Sequence, residues 1–226
     1  MTIFTFDELP DEEVLLEPRR VKGSGLQPVR LSVGGPFPVP LDDGSVDPDD
    51  HELRNFIDHE AATHAYWLVR LACTFQAESD EPFIRAWLNL KLARDDGKAE
   101  PEPVAWSMTP FALLQLRDSP WTIKVGASAK ILNAETEWHP GAKAQAAVLA
   151  IGELEATPGW EFARTDAAPL SGTQRLAFVL RAPRDVPTMG ELSVDATIRR
   201  RRMGVIPHSA RFPSGPAKPF RVPSAG

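Results

Sequence analysis

The sequence predicts a mostly β protein: an antiparallel β-sandwich of Greek-key or jelly-roll type, with one or two short helices and Pro-rich terminal arms. Three observations carry that expectation. Two runs, 64–76 and 83–92, alternate their side chains with period two and are separated by a short acidic break ending in Pro82. Further runs of the same kind recur along the chain with turn residues between them. Pro is abundant at 22 residues, about twice its usual frequency of roughly 5%. It falls mostly between the apolar runs, where it punctuates turns instead of entering helices or central strands.

Taken in order, the chain divides into an acidic, Pro-rich arm at 1–47, a sandwich domain at 48–206 and a Pro-rich basic tail at 207–226. The arm has little periodicity. A strand fits 26–33, and the stretch Gly34-Gly35-Pro36-Phe37-Pro38-Val39-Pro40 must then be extended or polyproline-like. A helix is predicted at 49–62, with Asp49 as its cap and Leu53, Phe56, Ile57 and Ala61 on one apolar face. The runs 64–76 and 83–92 read as an antiparallel hairpin. In the first, Trp67, Val69, Leu71, Cys73 and Phe75 share one face. In the second, Ile84, Ala86, Leu88, Leu90 and Leu92 oppose Phe83, Arg85, Trp87, Asn89 and Lys91.

A polar loop follows at 95–103, the place for a domain break if there were two units; one unit is expected. Thr109-Pro110 followed by Phe111 to Leu114 predicts a short helix or 3₁₀ turn. Strands are expected again at 121–132, 144–156, 160–162, 175–181 and 191–202, and an irregular tail from 207. At 226 residues there is ample chain to bury a core.

Composition narrows the function classes. The apolar fraction of 42% is that of a folded protein. A single cysteine, Cys73, leaves no internal disulfide and no cysteine-based zinc or iron–sulfur site. The acidic start, 1–17, lacks the basic region of a secretory signal. No apolar run reaches about 18 residues, so no transmembrane helix is expected. Richness in Ala, Arg, Pro and Asp suggests a high-GC bacterial genome, and a cytoplasmic protein is expected.

Net charge is −6, unevenly spread. Residues 1–60 hold 14 Asp/Glu against 5 Lys/Arg, whereas 119–226 hold 9 against 14. Such asymmetry marks either the acidic end folding back on the basic end, or self-association or a charged partner.

Motif by motif, little points to catalysis. His59 and His64 enclose a sequence like a zinc-protease motif with one residue too many. Five helical steps place them about 140° apart around the axis, so they cannot chelate together from a regular helix; they read as surface histidines at a helix end. Asp42, Asp43, Asp47, Asp49, Asp50 and Asp58 form an acidic cluster without the EF-hand offsets, better explained by turns and helix starts. There is no phosphate-cradling Gly loop and no nucleophile elbow around Ser107. A triad assembled from distant residues stays open, since five His are present.

The sharpest local signal is Arg199-Arg200-Arg201-Arg202. With Leu192, Val194, Ala196 and Ile198 on the buried face, the four arginines are expected where the sheet ends. Residues 195–226 carry seven basic residues against one acid, Asp195. Arg199, Arg200, Arg201, Arg202 and Arg211 are therefore the candidate binding residues. A protein partner or self-assembly is favoured over nucleic acid or anionic lipid, because the whole chain is acidic. The run 121–156 also has the alternation of a membrane-inserting hairpin.

The leading expectation is a non-enzymatic interaction or assembly module of a bacterial cytosol, with no cofactor, no metal and no catalytic residue assigned. The alternatives are a hydrolase whose residues converge only in space, and a pore-forming or anionic-ligand-binding β protein.

Overall fold

The computed structural model describes residues 30–41, 51–76, 82–116, 122–125, 144–165, 169–202, 206–212 and 217–225. Among them run β1 (Arg30–Leu41), α1 (His51–Glu60), β2 (His64–Gln76), β3 (Phe83–Arg94), β4 (Val104–Thr109), β5 (Ala112–Leu116), β6 (Thr122–Val125), β7 (Ala144–Ile151), β8 (Gly159–Ala163), β9 (Gly172–Pro183), β10 (Thr188–Arg202), β11 (Ile206–Phe212) and β12 (Lys218–Val222). The smaller sheet has the order β1-β2-β9-β4. The larger has the order β11-β10-β3-β8-β7-β5-β6, with β12 paired to the first part of β10 beside β11. Every pairing is antiparallel. The mostly β sandwich expected from alternation is the observed architecture.

The two sheets stack through their apolar faces, as sheets with one buried side must. Val69, Leu71, Cys73, Phe75, Leu176, Phe178 and Leu180 of the smaller sheet meet Ala86, Leu88, Leu90, Trp160, Phe162, Leu192, Val194 and Ile198 of the larger. Edge-on aromatic contacts span the core: the rings of Phe75 and Phe83 lie 5.4 Å apart and those of Phe75 and Phe162 5.2 Å. Cys73 is fully buried there, and burial pushes its thiol far above the usual range.

The hairpin expected from 64–76 and 83–92 does not form. β2 pairs with β1 and β9, and β3 with β10 and β8, so the two runs sit in opposite sheets and face each other across the core. Their apolar faces are buried by stacking instead of by sharing one surface. Two side chains, Phe83 and Ile84, also depart from the expected parity. Thr197 is opposite Arg85 while Ile198 is opposite Phe83, so Ile84 is the extra residue of a bulge and Phe83 turns into the core.

The helix or 3₁₀ turn expected at 109–114 is absent. β4 ends at Thr109, Pro110 and Phe111 carry the chain from the smaller sheet to the larger, and β5 begins at Ala112. Tertiary hydrogen bonds hold this crossing: Trp160 Nε1 donates to Pro110 O at 3.1 Å, and Ala150 N donates to Phe111 O at 2.8 Å. The loop after β3 is clamped too. Arg94 grips Asp96 with two bonds of 2.8 Å, and Arg221 of β12 reaches Asp95 at 2.7 Å.

Both terminal regions contribute strands. The stretch rich in Gly and Pro within 1–47 is β1, an edge strand, where missing proline donors face outward at little cost. A bulge between Gly34 and Phe37 accommodates Gly35, whose φ is 89° and where an added Cβ would lie 2.7 Å from Arg70 O, leaving no room for a side chain. The tail expected to be irregular from 207 supplies β11 and β12, both anchored on β10. Helix α1 is shorter than the predicted 49–62 and packs on the outer face of the smaller sheet, where Ile57 meets Leu41, Tyr66, Leu68 and Ala177. The predicted cap Asp49 and the acidic positions 42–50 lie outside the described residues.

Candidate ligand-binding surface

Strand β8 runs beside β3, which runs beside β10. Where β8 ends, Arg164 N donates to Ile84 O at 2.8 Å, and in β10 Arg199 N donates to Pro82 O at 2.9 Å. These backbone bonds bring Arg164 and Arg199 to one cleft of about 290 Å³, lined with Ile84 and Thr165. Both arginines are exposed, and among the described residues neither has a carboxylate partner. A guanidinium presents five N–H donors in a rigid fork suited to carboxylate or phosphate, and two arginines line this one cleft.

The other predicted binding residues extend from here along the backbone. Arg200, Arg201 and Arg202 pair with His208, Pro207 and Ile206 of β11, and Arg211 is opposite Thr197. Thr197 is in turn opposite Arg85. Arg85 is committed, since its Nε is 3.0 Å from Glu161 and its guanidinium lies 5.7 Å over the Trp87 ring. Thus the arginine run is at the end of β10, as the sequence predicts. The structure adds Arg164, which no local pattern marks and which only the strand order places beside Arg199.

A second polar cluster lies where α1 meets the smaller sheet. Arg181 of β9 donates from Nε to Glu60 Oε2 at 2.5 Å and from Nη2 to Glu60 Oε1 at 3.0 Å. Tyr66 OH donates to Glu60 Oε2 at 2.8 Å. Arg181 holds the Glu60 carboxyl below its ordinary range against the opposing effect of burial. Burial, then the Glu60 carboxylate, pushes Tyr66 up to about 12.

His64 sits beside this pair, its side chain only 12% exposed, so it is not the surface histidine expected from the sequence. Thr63 Oγ1 lies 3.3 Å from Glu60 O and shares a hydrogen bond of 2.8 Å with His64 Nδ1. The other ring nitrogen, Nε2, is buried without a partner. The protonated ring carries an N–H there with no acceptor, and burial with the nearby Arg181 charge lowers the His64 pKa despite Glu60. His59 stays exposed on α1. An open cleft of about 340 Å³ adjoins, walled by Pro40, Leu41, Ile57, Trp67 and Arg184.

Among the described residues no group of three or more His, Cys, Asp or Glu is placed to hold a metal ion. No helix among them is long and apolar enough to cross a membrane. The hairpin read from 121–156 is not one pairing: β5 lies between β6 and β7 and binds both, and residues 126–143 lie outside the described residues.

No family model matches the chain, and no curated protein matches it. Among solved structures, it is similar to the Clostridium perfringens NetB toxin in the membrane-inserted form, with TM-score 0.32 and 9% identity over 85% of this chain and 88% of that one. It is also similar to Clostridium perfringens delta-toxin, with TM-score 0.30 and 10% identity over 86% and 82%. At these TM-scores neither likeness carries an argument about this protein.

Proposed function

We propose that the protein is a non-enzymatic interaction module of a bacterial cytosol, and that it binds a carboxylate-bearing segment of a protein at the Arg164–Arg199 cleft. The observation that carries this reading is the pair of exposed arginines lining one cleft, neither with a carboxylate partner among the described residues. Ile84 and Thr165 complete a lining suited to an acidic side chain with an aliphatic neighbour. An acidic polypeptide is favoured over a nucleic acid because an extended phosphate backbone needs a long basic stripe, whereas this cleft offers two arginines on a chain of net charge −6. The other convergent polar groups, Glu60, Arg181 and Tyr66, are spent on fastening α1.

The test is fluorescence anisotropy with a labelled Glu/Leu peptide, a single-stranded oligonucleotide and vesicles containing anionic lipid, using wild type and Arg164→Glu/Arg199→Glu. Both arginines are exposed, so each ion pair is worth about 0.2–1 kcal/mol, and the double charge reversal weakens peptide binding by about tenfold. Peptide binding indifferent to the double substitution, or tighter binding to oligonucleotide or vesicles, overturns the reading.

A further inference from the structure

The larger sheet ends differently at the two ends of β8. Beyond Ala163 lies the basic cleft. Before Gly159 lies the turn from β7, and five residues of strand separate the two by about 17 Å. The turn is apolar and acidic. Leu149 is 37% exposed, Ile151 50% and Leu154 63%, the exposed large hydrophobics of the described residues. Leu154 also holds a φ of 65°, a left-handed conformation that disfavours leucine. Strain and exposure coincide in one side chain, the pattern expected where a residue is kept for what it touches.

The turn is rigidly presented. Leu154 N donates to Ala105 O at 2.7 Å, Ala105 N to Glu155 O at 3.0 Å, and Glu155 N to Gly152 O at 3.1 Å. The Glu153 carboxylate is half-buried and accepts from the Met108 N–H. Glu155 is exposed, and its carboxylate has no partner among the described residues. The turn therefore projects a leucine beside an open carboxylate, while the opposite end of the sheet offers Ile84 beside two open guanidinium groups.

We infer that the partner of the basic cleft is a second copy of this chain, joined head to tail: Leu154 of one copy packs on Ile84 of the next, and Glu155 bonds Arg164 and Arg199. This inference rests on the proposed acid-binding role of the cleft. The contact is heterologous, because the two surfaces differ and lie at opposite ends of one strand, so it generates rings or filaments instead of a closed two-fold dimer.

Sedimentation velocity of the full chain, from micromolar to near-millimolar concentration at low and high salt, tests it. Wild type gains mass with concentration and loses it with salt. Glu155→Arg and Arg164→Glu/Arg199→Glu, each checked for fold by circular dichroism, raise the apparent dissociation constant by about tenfold or more. Mixing the two variants restores assembly, since the reversed turn of one fits the reversed cleft of the other, while the unaltered turn and cleft still match. Wild type monomeric throughout, variants that assemble as wild type does, or a mixture that stays monomeric overturns the inference. A monomeric wild type that still binds the acidic peptide through Arg164 and Arg199 overturns self-association alone and leaves the cleft's role standing.

Discussion

Glu60 ends α1 and fastens it, taking two bonds from Arg181 and one from Tyr66. Glu60→Gln removes the charge from a pair about a quarter exposed, so a loss of about 1–2 kcal/mol is expected from urea unfolding, the lower figures reflecting solvent screening. The pH dependence has the same origin. Unfolded His64 takes a proton near 6.5, whereas the folded residue holds it off to lower pH. The unfolded state then binds more protons, so stability falls as pH drops below about 6.5. Glu60, held low by Arg181, adds a second loss as pH falls below about 4.5 and through its folded value. Urea midpoints across this range should decline toward acid, and His64→Gln should flatten the upper part of the decline. Leu154→Gly should raise stability by about 0.5–1 kcal/mol, because relief of a left-handed leucine, about 1–2 kcal/mol, outweighs the added freedom of unfolded glycine. A fall in the urea midpoint would show that the leucine supports the fold. None of these roles is visible in the sequence: Glu60 and Arg181 are 121 residues apart, and a left-handed leucine has no signature.

At the scale of elements, strand β10 is legible from Glu191 onward, while Thr188 to Gly190 extend it beyond the predicted 191–202. Leu192, Val194, Ala196 and Ile198 recur with period two and all are buried, which leaves Arg199 outward. Bulges erased the pattern elsewhere. Ile84 reverses the parity of Phe83, and the shift between Ala105 and Ser107 sends Trp106 to the outer cluster, its ring 6.1 Å from Tyr66. Strand β8, the link between the two proposed contact surfaces, depends on a close approach. A Cβ on Gly159 would lie 2.6 Å from Leu88 O. Gly159→Ala therefore forces β8 away from β3 and should cost about 1–3 kcal/mol in thermal or urea unfolding. An unchanged midpoint would show that the pairing has slack. Arg164 follows this strand by one residue, and only the order β10-β3-β8 makes it a neighbour of Arg199.

For the whole molecule, the stacked sheets make Cys73 a reporter of global opening. It is wholly buried between them, and its thiol is raised by burial. A thiol-reactive dye should label it at the rate of global unfolding and not faster, with labelling accelerating in urea as secondary structure is lost. Rapid labelling of the folded protein would mean that the core opens locally. Alternation alone records the inward faces of β2, of β3 beyond its bulge and of β10, together with the β-rich class and the place of the arginine run at a strand end. These follow from period-two alternation and turn chemistry, which act over a few residues. That β2 and β3 face each other from different sheets, that Pro-rich terminal segments become strands, and that Arg164 joins Arg199 emerge from the three-dimensional packing. A strand's backbone donors and acceptors are satisfied equally well by many partners, so neighbour choice is set by how two whole apolar faces pack, and no local pattern records it.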